Sequence, residues 1–168
     1  MCPGGAVPDK LPSEDPPDDP EGPAVTDKPQ PSQDPAAPQL TEEEMAYVLT
    51  LFDMAREGRT EELLPAVRAG VPVNLTNGKG DTLLILAAYH QREDTVAALL
   101  EAGADPDRVN DNGQTALLSA VFRGNEAVVR TLLEAGASQT AGAHSAADFA
   151  RVFERADLLP VLEEYAAR

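Results

Sequence analysis

The sequence predicts an all-α fold: a solenoid of helix-turn-helix units with β-turn fingers between them, preceded by a disordered tail. Three observations carry this expectation. The chain matches itself at an offset of 33 residues, with twelve of the 25 positions in 80–104 identical to those in 113–137. Within each period, apolar residues recur at three and four residues, the spacing of a helix face. The composition of the 168-residue chain also changes at residue 40, so that only the later part can bury a core. A fixed period of this size means units that bury their apolar surface only against neighbouring units.

Residues 1–40 hold 11 of the 15 prolines, none of the seven aromatics, and eight acids against two bases. Proline removes backbone donors and blocks helix, and the few apolar groups cannot offset the entropy of ordering the chain. The segment is expected to be a disordered, acidic, proline-rich tail that acts as a spacer or aids solubility. Asp15, Asp18, Asp19 and Glu21 close no cation-binding loop, and no Pro-x-x-Pro run carries the flanking Arg that docking grooves use.

Order is expected from Thr41. Thr41-Glu42-Glu43-Glu44 has the form of a capping box, and three acids suit the positive end of a helix dipole. Met45, Val48, Leu49, Phe52 and Ala55 then mark the apolar stripe of a helix ending near Gly58. In later units Leu-Leu-Glu-Ala-Gly closes a helix, with Gly70, Gly103 and Gly136 in one register. A polar stretch containing Asn77-Gly78 or Asn112-Gly113 turns the chain, and Thr82 or Thr115 offers a hydroxyl cap to the next helix. That helix runs to about His90 or Arg123, and a turn and a second apolar helix complete the unit.

Gly80-Asp81-Thr82-Leu83-Leu84 and Gly113-Gln114-Thr115-Ala116-Leu117 resemble the Gly-x-Thr-Pro-Leu motif of the ankyrin repeat, and Gly103-Ala104-Asp105 resembles its finger opening. The resemblance covers about residues 45–168. It implies an ankyrin-repeat domain over 41–168, with about four repeats at approximately 41–70, 71–103, 104–136 and 137–168. Leu83 and Ala116 replace the motif proline, and Ile85 and Leu118 replace its histidine. Without that histidine a polar link between repeats is lost, so the seams are expected to rest more on apolar packing. The end units read as caps: the first has an extended, charged leading helix, and the last has a finger shortened by three residues before Ser145. Pro65 and Pro160 each follow a Leu-Leu pair and are expected near the first turn of a second helix, where a missing N–H sacrifices no bond.

The net charge is −16, of which −6 belongs to residues 1–40 and −10 to the remainder. Non-specific nucleic-acid binding and anionic membrane surfaces both require surplus Lys and Arg, so neither is an expected partner. Cys2 is the one cysteine, which excludes an intrachain disulfide and a cysteine-based zinc framework. No apolar leader opens the chain, and the longest apolar stretch, Leu83 to Tyr89, is far shorter than a membrane span. A cytoplasmic monomer is the resulting expectation. Ten Arg against three Lys, with abundant Ala, hints at a GC-rich bacterial gene. His90 and His144 lie in different units, no phosphate loop or hydrolase motif occurs, and Asp105-Pro106-Asp107 lacks the following ligands of a calcium loop. No catalytic activity, metal or cofactor is therefore expected.

The resemblance implies partner contact through the finger tips and the exposed concave side of the first helices. In this sequence those positions are Gly78, Lys79, Asp81, Tyr89 and His90 in the second unit, and Asp111, Asn112, Gln114, Phe122 and Arg123 in the third. Arg56 and Glu57 share the register in the first unit, and Val152 and Phe153 in the last. Tyr89 and Phe122 should line up beside His90 and Arg123, and aromatics with Arg are the stuff of interface hot spots. Packing over their own helices is the alternative role for this row, and the expected one for Phe153. Lys79 and Arg108 are the only bases on the fingers, which makes that edge acidic. The expected function is binding of a protein partner. One subtype is an inhibitor or immunity-type protein whose acidic surface covers a basic site, with steered, salt-sensitive association. The alternatives are an assembly adaptor acting through the tail and an enzyme whose site escapes motif reading.

Overall fold

A computed structural model describes residues 41–167. The expectations for residues 1–40, including Cys2 and the acids of 15–21, lie outside the described residues. Among those described, eight α-helices form: α1 (Glu42–Glu57), α2 (Thr60–Arg68), α3 (Leu83–Tyr89), α4 (Glu93–Glu101), α5 (Ala116–Arg123), α6 (Glu126–Glu134), α7 (Ala146–Val152) and α8 (Leu159–Ala166). They fall into four pairs. The first helices α1, α3, α5 and α7 pack side by side as one layer, and α2, α4, α6 and α8 as a second, with each first helix also packed on its own partner. No strand forms among the described residues; the loops between pairs are turns, with one antiparallel bridge joining Thr76 and Thr82.

The helix starts follow the local chemistry. Thr41 accepts from the Glu44 amide at 3.2 Å while the Glu44 carboxylate accepts from the Thr41 amide at 2.8 Å, completing the capping box. Thr82, Thr115 and Ser145 accept from the amides of Ile85, Leu118 and Asp148 at 3.1, 3.2 and 3.2 Å. One hydroxyl thus opens each later first helix, satisfying an amide that the helix itself cannot.

Burial departs from the expected stripe in α1. Leu51, Phe52 and Ala55 are buried, whereas Met45 is 47% and Leu49 56% exposed. At the 33-residue register Thr50 stands level with Leu83, the first residue of α3, so residues 42–49 extend past α3. The first half of α1 has no opposing helix, and Leu51 takes the core position instead. In α3, by contrast, Leu83 to Ala88 are all buried, and in α5 Ala116 to Val121 are all buried.

Pro65 also departs from expectation. It is the sixth residue of α2, which begins at Thr60 with Glu61 and Glu62 in its first turn, and is not near the first turn at all. Pro65 is exposed, so the Glu61 carbonyl that it leaves without an intrahelical donor faces water, while Leu63 and Ala66 still reach the core. Pro160 does fall at the second residue of α8, after a 3₁₀ turn over Ala156–Leu158.

The seams between repeats are apolar where the motif histidine is absent, with Ile85 and Leu118 buried, yet they keep polar links elsewhere. Asn74 accepts from the Asp105 amide at 2.8 Å, and one repeat later Asp107 accepts from the Ser138 amide at 2.7 Å. On the opposite edge, Arg92 donates to the Arg56 carbonyl at 2.8 Å and Arg155 to the Phe122 carbonyl at 3.3 Å. These arginines lie against Gly58 and Gly124, whose positive φ values of 77° and 73° close the first helices. At the same register the second and fourth pairs use Gln91 and Glu154, with φ of 60° and 56°, in the left-handed region that glycine adopts at least cost.

Candidate interaction surface

The residues expected to face a partner separate into two groups. In the loops, Lys79, Asp111 and Asn112 are exposed. Asn77 and Asn110 organise these loops from within. The Asn77 side-chain oxygen accepts from the amides of Lys79 and Asp81, and that of Asn110 from the amides of Asn112 and Gln114, at 2.8 to 3.0 Å. Adjacent loops are then joined, since the Asp111 amide donates to the Lys79 carbonyl at 3.0 Å and the Ala143 amide to the Gly113 carbonyl at 2.8 Å.

Asp81 does not belong with the exposed set. It is buried, and its carboxylate accepts from Asn110 at 2.7 Å and from Asn77 at 3.2 Å. Its role is to join the second loop to the third, because a buried carboxylate must keep its donors. Gln114 is half-buried in the same joint. Neither Asn77 nor Asn110 was among the expected site residues, although their shared register, 33 apart, was a signal for them.

On the first-helix layer the expected row forms and extends further. The Tyr89 and Phe122 rings lie 6.1 Å apart and within 9° of parallel. Phe153 meets Phe122 edge-on at 5.0 Å and Phe149 at 4.4 Å, and His144 lies beside Phe149 at 6.4 Å. His90 packs its ring edge-on to Tyr89 at 5.3 Å. The exposed Arg123 places its guanidinium 5.2 Å from the Tyr89 ring centre, within cation–π range. With its amide oxygen turned toward Arg123, Gln91 accepts from Nε and an Nη, each at 3.3 Å. Arg56 sits at the end of α1, only 24% exposed, with Asp53 at 2.6 Å.

Tyr89 and Phe122 are half-buried, so the row serves packing and still presents a surface. Phe122 and Phe153 both pack against the buried core. Val152, at the Phe122 register, is 66% exposed and leaves the ring stack to Phe153. Sequence register alone does not show which of the two reaches the stack.

The ankyrin-repeat family model, covering three repeat copies, matches residues 51–142 of this chain. The chain belongs to the ankyrin-repeat family. Ankyrin repeats are protein–protein interaction scaffolds, and the α7–α8 pair of this ankyrin-repeat chain lies beyond the matched stretch. A Pseudomonas aeruginosa protein named for its ankyrin repeats is 48% identical over 59 residues, amounting to 35% of this chain and 34% of the relative. The match thus spans about a third of that relative's length.

Among the described residues no group of three or more His, Cys, Asp or Glu could hold a metal ion, and no helix is long and apolar enough to cross a membrane. The carboxylates of Asp105 and Asp107 are used as loop acceptors, from the Asp107 and Ser138 amides at 3.0 and 2.7 Å.

Proposed function

We propose that this protein is a non-catalytic binding module that engages a protein partner through the Tyr89–Phe122 row, Arg123 and the adjoining loop edge. The observation that carries the reading is the stack itself: two nearly parallel, half-buried rings on adjacent repeats, with an exposed guanidinium over one of them. Half-buried aromatics and Arg combine large apolar contact with directed hydrogen bonds, the composition of binding hot spots. Arg56, His90, Lys79, Asp111 and Asn112 form the surround of this surface, and Asp81 and Gln114 support it from inside the loop joint.

The acidic balance of the chain complements a basic-surfaced partner. In this reading the protein is an inhibitor or immunity-type module, monomeric and cytoplasmic, that covers a basic site. Complementary charge raises the association rate and makes it salt-dependent. The test is affinity capture with wild-type protein and the Tyr89→Ala/Phe122→Ala/Arg123→Ala variant, at low and high salt. The expected result is loss of the captured partner by a variant that is still folded at the assay temperature, as its thermal melt shows. A partner retained by the triple variant would place the contact elsewhere.

A further inference from the structure

We infer that the Tyr89–Phe122–Arg123 surface accepts a carboxylate: the partner's contacting segment carries an Asp or Glu beside a bulky apolar side chain. This rests on the reading above, and it specifies the chemistry of the segment that reaches the first-helix face.

The first-layer helices carry three arginines, Arg56, Arg123 and Arg151. Arg56 on α1 holds Asp53 at 2.6 Å, and Arg151 on α7 holds Asp148 at 2.9 Å, each from its own helix. Arg123 on α5 forms no ion pair among the described residues, in a chain with 29 acids. It is held over Tyr89 and beside Gln91, two neutral groups that orient the guanidinium without pairing its charge. A planar, oriented guanidinium is built to take a carboxylate through paired N–H groups, and prior orientation reduces the entropy lost on binding.

The rings define the neighbouring group. At a 6.1 Å centroid separation the Tyr89 and Phe122 rings are too close for a third ring to insert, which would need about 7 Å for two carbon–carbon contacts. Phe153 covers Phe122 edge-on at 5.0 Å. A Leu, Met, Phe or Tyr side chain therefore lies across the exposed ring surfaces, with the acidic side chain adjacent and within reach of Arg123. The net charge of −16 selects against polyanions, so a single carboxylate on an otherwise neutral or basic segment is the chemistry favoured.

A random dodecapeptide library displayed on phage, panned against the full chain, tests this. The expected winners share an acidic residue next to a bulky apolar one. For a synthesised winner, changing its Asp to Asn, or its Glu to Gln, weakens binding about tenfold, the effect of losing one charge-assisted hydrogen bond. In the Arg123→Gln protein, checked for an unchanged melting temperature, the acidic and amide peptides bind equally. Winners that need Tyr89 and Phe122 but contain no acidic residue, and that ignore Arg123→Gln, overturn the carboxylate while leaving the binding surface standing. Peptide binding unaffected by Tyr89→Ala and Phe122→Ala overturns both.

Discussion

Helices α1 and α3 occupy the same register in neighbouring repeats, yet α3 buries six successive residues, Leu83 to Ala88, whereas α1 buries three of its sixteen. The same contrast separates α5, with six buried residues, from α7, with Ala146, Phe149 and Ala150. A middle helix has neighbours on both sides and on its own second helix, so only its last residues, Tyr89 in α3 and Phe122 and Arg123 in α5, reach water. An end helix lacks one neighbour, and in α1 polar groups stand where α3 carries Leu. Thr50 and Asp53 of α1 stand at the register of Leu83 and Leu86. Stability in such an array is carried by nearest-neighbour seams, so substitutions should act according to the number of neighbours a residue has.

The largest expected effect probes that directly. Leu84→Ala, at a fully packed middle position, should cost about 2–5 kcal/mol in urea denaturation, while Leu49→Ala in α1 should stay within about 0.5 kcal/mol. Equal losses at the two sites would break the distinction between middle and end. Next in size is Asn110→Ala. It takes a donor from the buried Asp81 and an acceptor from two loop amides, and should destabilise by about 1–3 kcal/mol.

The helix-to-helix turns sharpen the comparison further, because the same conformation is built from different residues. Gly124→Ala should cost about 1–2 kcal/mol, since φ is 73° and an added Cβ would lie 3.1 Å from the Arg155 guanidinium carbon. Glu154→Gly, at φ 56° in the last turn, should instead stabilise by about 1 kcal/mol, as read by thermal melting. A loss at Glu154 would mean that its side chain contributes more than its backbone costs.

The smallest effect concerns the last first helix. The Ser145 hydroxyl, with Arg151 also contributing, holds the exposed Asp148 carboxyl below the usual aspartate value. A depressed folded value means that this contribution is present above the unfolded aspartate range, about pH 3.9, and is lost as pH falls through the lower folded value. An NMR titration of Asp148 should show that lowered midpoint, and Ser145→Ala should return it toward the ordinary one.

Much of this was legible because repeat architecture is local. The Thr82, Thr115 and Ser145 caps, the glycines at the ends of second helices and the helix pairs depend on residues within one unit, and they formed where expected. The aromatic row was also legible, since Tyr89 and Phe122 are one period apart and a solenoid stacks equivalent positions. What escaped depended on neighbours. Asp81 reads as an exposed loop acid until Asn110 of the next loop closes over it. Pro65 reads as a helix start until α2 begins five residues earlier, and its exposure makes that tolerable.

By itself the sequence determined the period, the all-α class and the family, because each of these is written in spacing repeated along the chain. Only the tertiary structure decided which apolar residues of α1 meet the core, and that Phe153 rather than Val152 completes the ring stack. It also decided that Arg123 stands over Tyr89 beside Gln91. The physical reason is that burial and charge pairing belong to the contact between units, and one unit's residues acquire their roles only when the next is stacked against them.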